Sequence, residues 1–139
     1  MTRSGERRRP HVRRALLALG LLGALTIVPA LAQDDVKRTD LQTSDLSIPG
    51  YEVVQQMVEL PPGAVVAKHT HPGEEVTVVL LGSLLLEVAG KPARTYQAGQ
   101  AFTVPAGIVH GAKSSGELPA RILATYVVQK GKPLRTAAE

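Results

Sequence analysis

Four of the chain's residues could do chemistry through their type and spacing: His69, His71, His110 and one glutamate of the adjacent pair Glu74 and Glu75. On a strand, His69 and His71 lie two apart and point to the same face, with Thr70 on the other. Pro72-Gly73 turns the chain, and Glu74-Glu75 opens the next strand. One of that pair must face the histidines and the other must face away. His110 follows the turn Pro105-Ala106-Gly107 at the start of a later strand. Three imidazoles and a carboxylate on one inner face suit a first-row divalent metal, with positions left for water or substrate. A lone strand histidine more often makes ordinary hydrogen bonds at the surface. Here every histidine after His11 takes part and two share a face, which reverses those odds.

The elements that must hold these side chains are short. Apolar or alternating runs are expected as strands over 51–60, 65–71, 75–81, 84–88, 94–97, 101–104, 109–113 and 121–129. Gly- and Pro-containing turns separate them, and Val, Leu, Ile and Thr fill them. No run free of Gly and Pro is long enough for a stable helix. Eight strands about ten residues apart mean an all-β sandwich or small barrel. The core domain is expected over 51–129, with 33–50 a flexible arm or an edge-strand lead-in, and 130–139 a solvated tail.

Composition removes several function classes. The 139 residues contain no Cys, so disulfides, Cys-based zinc sites and thiol nucleophiles are excluded. Aromatics make up 3%, too few for a base-stacking nucleic-acid surface. The net charge of +4 is unevenly placed, since residues 1–32 hold six arginines against Glu6 alone. The remainder is slightly acidic, and a phosphate-binding reading of it loses its support.

Residues 1–32 read as an export signal. An Arg-rich stretch ends at Arg13-Arg14, an apolar run covers Ala15 to Val28, and Ala30-Leu31-Ala32 offers small residues for cleavage before Gln33. The apolar run is shorter than the roughly 20 residues that span a bilayer. A periplasmic or secreted protein is the expectation. Arg13-Arg14 also raises twin-arginine export, though an ordinary basic n-region accounts for it.

Two segments resemble the cupin signatures. The first runs Gly63, five residues, His69-Thr70-His71, three residues, Glu75, six residues, Gly82. The second runs Gly99, five residues, Pro105-Ala106-Gly107, two residues, His110, three residues, Ser114, where the signature has Asn. The resemblance implies a double-stranded β-helix, the cupin or jelly-roll barrel, holding metal through His69, His71, Glu75 and His110. The six-residue gap to Gly82 selects Glu75 over Glu74. Gly63, Gly73, Gly82, Gly99 and Gly107 are assigned to turns with unusual backbone angles.

Cupins include dioxygenases, decarboxylases, sugar epimerases, storage proteins and sugar-binding regulators, so the site must fix the function. Alternation suggests Val65, Ala67, Thr77, Val79 and Ala112 as further inward positions, none an acid or base. Glu52 and Tyr126 are the nearest candidates for one. This disfavours metal-free proton transfer and suits an apolar or aromatic substrate beside a metal. The expectation is a metal-dependent, quercetinase-like dioxygenase acting on a small organic molecule, with Glu75 doubling as ligand and proton shuttle. The competing class is a non-catalytic module that binds metal or a small ligand. The cofactor is a divalent transition metal ion, with Fe, Mn, Ni, Cu and Zn all open. A homodimer is the default assembly implied by the resemblance.

Overall fold

The computed structural model describes residues 35–139. The leader expected over 1–32 lies outside the described residues. Ten strands follow in order: β1 (Lys37–Asp45), β2 (Tyr51–Leu60), β3 (Val65–Thr70), β4 (Gly73–Leu81) and β5 (Ser83–Val88), then β6 (Arg94–Gln97), β7 (Ala101–Val104), β8 (His110–Ser114), β9 (Ala120–Gln129) and β10 (Thr136–Ala137). No helix occurs among the described residues. Two five-stranded antiparallel sheets form, in the orders β1-β2-β9-β4-β7 and β10-β3-β8-β5-β6.

Alternation along the strands drives this arrangement. On β9, Ala120, Ile122, Ala124, Tyr126 and Val128 are buried, and the residues between them are more exposed. On β4, Gly73, Glu75, Thr77 and Val79 face inward while Glu74 and Val76 face solvent. Leu60, Val79, Leu84 and Val104 are almost wholly buried and anchor the core between the sheets. Each such side chain contributes about 1.5–3 kcal/mol of transfer free energy.

Both flanks are more ordered than a flexible arm and a solvated tail. Lys37–Asp45 is an edge strand paired antiparallel with β2, the second of the two readings of 33–50. The tail, though mostly exposed as expected, is paired at its end. Thr136 pairs with Thr70 and Ala137 with His69, and the Ala138 amide donates to the Lys68 carbonyl at 3.0 Å. Leu134 is half-buried against the core. An apolar side chain that can reach a cavity outweighs the polar residues around it.

Strict alternation also fails on β3. Val66 pairs with Ala112 and His69 with His110, so Ala67 and Lys68 on β3 together oppose the single residue Gly111 on β8. The extra residue is a β-bulge. It turns Val65 and Ala67 outward and Val66 and His69 inward, correcting two of the expected inward positions. Thr77 and Val79 are inward as expected, and Ala112 lines the cavity.

Two glycines need their missing side chain for different reasons. Gly82 combines a φ of 69° with backbone packed against Pro119. Gly73 has no left-handed φ, unlike the other four glycines of the signatures. A Cβ there would collide with the Val127 carbonyl oxygen across the β4–β9 pair. Its role is close approach, not the turn geometry expected of it.

Candidate metal centre

The β3–β8 pairing sets His69 directly opposite His110. His71 stands just beyond the end of β3, and Glu75 enters from β4 between Val104 and Tyr126 of the neighbouring strands. All four are buried, with exposures of 3–6%. One donor atom from each lies within 4.8 Å of all the others. His69 Nε2 is 3.1 Å from His71 Nε2, and Glu75 Oε2 is 3.2 Å from His71 Nε2 and 3.1 Å from His110 Nε2. Glu74 is exposed on the other face of β4. Glu75, the member that the spacing to Gly82 points to, is the one that joins the buried cluster.

The backbone fixes the orientation of every ring. His69 Nδ1 donates to the Ala67 carbonyl at 2.8 Å, His71 Nδ1 to Leu134 at 2.6 Å and His110 Nδ1 to Ile108 at 3.0 Å. A carbonyl only accepts, so each Nδ1 carries a proton, and a ring presents a bare Nε2 lone pair whenever it is neutral. Thr77 Oγ1 donates to Glu75 Oε1 at 2.6 Å, leaving Oε2 for the cluster. With all three rings neutral, three lone pairs and a carboxylate oxygen would converge with no donor between them. A cation satisfies all four at once, and this group could bind a metal ion.

Without a cation, protons do part of that work. Burial disfavours the Glu75 carboxylate, but hydrogen bonds from His110, His71 and Thr77 outweigh it and hold its pKa well below the usual range. Burial likewise opposes protonation of His110, yet the bonds to Glu75 and the Ile108 carbonyl raise its pKa. His69 has no carboxylate on it. Burial dominates there, and its pKa falls to about 4 despite the Ala67 carbonyl.

The cluster opens into a cavity of about 260 Å³. Val58, Val66, Leu84, Leu86, Phe102 and Ile122 form its apolar wall. Tyr126 also lines it, its ring 4.6 Å from that of His71. Burial, followed by the Glu75 charge, raises the Tyr126 pKa, so the phenol keeps its proton at neutral pH. Of the two outlying acid–base candidates, Tyr126 reaches the cavity, and Glu52 is not part of its lining. Sequence reasoning missed Leu134, Arg135 and Arg38, which also line it. The one available signal was Leu134, an isolated large apolar residue in a polar tail. Sequence reasoning also gave Thr77 only an inward position, without its role as partner of Glu75.

Residues 56–126 match the family model described as Cupin domain. The chain belongs to the cupin family. Curated relatives include germin-like protein subfamily 2 member 1 of Arabidopsis thaliana, 34% identical over 89 residues, covering 58% of this chain and 41% of that protein. Germin-like protein 5-1 of Oryza sativa subsp. japonica is 32% identical over 79 residues, covering 53% of this chain and 36% of that protein. The cupin thus spans about two-fifths of the length of these relatives. Among solved structures, recombinant oxalate oxidase in complex with glycolate superposes with a TM-score of 0.61 at 24% identity, covering 75% of this chain and 55% of that one. A cupin superfamily protein of Desulfitobacterium hafniense gives 0.58 at 17% identity, covering 70% and 83%. These structures share the fold.

Proposed function

We propose that this cupin is a metal-dependent oxygenase acting on a small organic molecule, with His69, His71, Glu75 and His110 as its metal ligands. The observation carrying the proposal is the convergence of four buried acceptor atoms at the head of an apolar cavity. A divalent transition metal ion bound there, with positions left open, supplies activation of O₂ or polarisation of a substrate oxygen. The chain supplies the rest. The Leu, Val and Phe walls exclude water and hold a hydrocarbon body. Tyr126 retains its proton and can donate it to a substrate oxygen. Glu75 is ionised, with Oε1 held by Thr77 and Oε2 turned to the histidines, where it would hold the metal. The apolar lining favours a substrate larger and less polar than oxalate or glycolate.

A binding module without turnover is the second reading. It is favoured by the absence, among the described cavity-lining residues, of any carboxylate or imidazole outside the ligand set. Elemental analysis of protein from its own compartment, followed by O₂ uptake with a panel of phenolic substrates, separates the two. Metal retained with substrate-dependent O₂ consumption supports the oxygenase. Retained metal with no uptake supports the module, and turnover unchanged without O₂ removes the oxygenase. Export to the periplasm or medium is part of the proposal, supported by the pattern of residues 1–32. So is a homodimer, supported by the exposed Val76 and Leu80 on the outer face of β4; light scattering tests it.

A further inference from the structure

One stretch of the cavity wall is held differently from the rest. Apart from His71, the other lining residues stand on strands of four to ten residues within the two sheets. Leu134 and Arg135 instead precede β10, a strand of two residues. Their segment leaves β9 in one sheet and joins the edge of the other, so it bridges the two. Its near end is fixed, the Gln129 and Lys130 amides donating to the Pro72 and Gly50 carbonyls at 3.4 and 2.9 Å. Gly131 follows with a φ of 73°, and no strand forms before Thr136. At the far end Thr136 and Ala137 are exposed and pair with Thr70 and His69. A short, exposed pairing opens at lower free energy than strands whose alternate side chains form the core. The segment also reaches the candidate ligands. The Leu134 carbonyl accepts from His71 Nδ1 at 2.6 Å, and the Leu134 side chain packs against the core. With the segment in place, the four donor residues are 3–6% exposed. Lifting it opens one wall of their cavity and frees the His71 ring.

We infer that residues 131–138 are a strap that opens to pass the metal ion and closes to fix His71 upon it. The inference rests on the reading of His69, His71, Glu75 and His110 as metal ligands and adds the route to them. Gly131 starts the hinge, since a glycine absorbs backbone changes that other residues resist. Loss of a partner that orients a ligand costs about 10–100-fold in metal affinity. The ion therefore binds the closed strap more tightly than the open one by that factor. By linkage, the bound ion favours closure by the same factor.

Two measurements test it, with Mn²⁺ as the probe ion. The first is amide hydrogen exchange of the wild type, read by mass spectrometry. In metal-free protein the strap amides, Ala138 among them, should exchange at least about 100-fold faster than amides paired between β2 and β9. Saturating Mn²⁺ should slow the strap about 10–100-fold. The second uses the double variant Thr70→Cys/Thr136→Cys. These residues are directly opposite on β3 and β10, and Thr70 points away from His69. Such partners lie about 4.5–5.5 Å apart at Cα, a span that a disulfide bridges, and the chain has no other Cys. Oxidised protein should release Mn²⁺ to excess EDTA at least about tenfold more slowly than the same protein reduced. Strap exchange as slow as that of the sheets overturns the inference, and so do equal release rates in the two redox forms. The wild-type measurement decides even if the variant fails to fold. Failure to retain any metal would sink the oxygenase reading. In that protein, fast strap exchange still upholds an opening strap and slow exchange overturns it.

Discussion

Replacing Thr77 with valine tests the metal centre through a residue outside the ligand set. Thr77 is fully buried, and its hydroxyl donates to Glu75 Oε1 at 2.6 Å. Valine keeps the branched shape and removes that donor. A hydrogen bond to a charged group is worth about 1.5–3 kcal/mol, and its loss also frees the carboxylate to rotate away from the cluster. Loss of a partner that orients a ligand typically costs 10–100-fold in metal affinity, about 1.4–2.8 kcal/mol. The two estimates agree. The dissociation constant for Zn²⁺ or Mn²⁺, read by chelator competition, should therefore rise 10–100-fold in Thr77→Val. The stabilisation that saturating metal gives in thermal melts should shrink in step. Thr77→Ser, which restores the hydroxyl, should return affinity toward wild type. A valine variant that folds normally and binds metal within twofold of wild type would refute the orientation of Glu75 as a determinant of the site.

In metal-free protein, the His69 pKa of about 4 against an ordinary 6.5 means that the unfolded chain takes up a proton before the folded one does. Urea midpoints should fall as pH drops from 6.5 to 4, and His69→Gln should flatten that slope; a midpoint that rises on acidification contradicts the assignment. His110, with a raised pKa, adds stability below 6.5 that is lost at higher pH, so it does not shape this window. Ending the chain after Lys132 removes the Leu134 carbonyl from His71 and should weaken metal binding 10–100-fold while circular dichroism keeps its β signature. Wild-type affinity in the shortened chain would deny the tail that role. Gly73→Ala drives a Cβ into the Val127 carbonyl and should destabilise the protein by about 2–3 kcal/mol or more in urea melts. A change below about 0.5 kcal/mol would show that β4 and β9 separate easily.

The β fold and the four donor residues were legible because each left a local mark. Strand β9 alternates throughout and β4 does so from Gly73 to Val79, and the donors sit at fixed distances from glycines that the turns require. The misread parts depend on contacts distant in sequence. Nothing near residue 134 says that its carbonyl meets a histidine 63 positions earlier. The arginines were equally hidden, since Arg38 reaches the cavity only because β1 pairs with β2. Gly73 lies between Pro72 and Glu74 as a turn glycine would. Its actual constraint comes from β9, about 54 residues away, and no local pattern records it.

The bulge on β3 links these misread features. With regular alternation, an inward His69 would leave Val66 facing solvent, and the cavity wall would lose a hydrophobic member. One extra residue lets both face inward, Val66 against the wall and His69 toward Glu75. The same irregularity leaves the Ala67 carbonyl to accept from His69 Nδ1 and from Arg135 Nη2. One backbone oxygen thus sets the orientation of a candidate ligand and holds a cavity-lining arginine. Bulges recur where a sheet must aim a side chain that its pleat would point elsewhere. Here the aimed residue is a buried imidazole, so the departure from alternation on β3 is itself evidence that the site, and not core packing alone, shapes this strand.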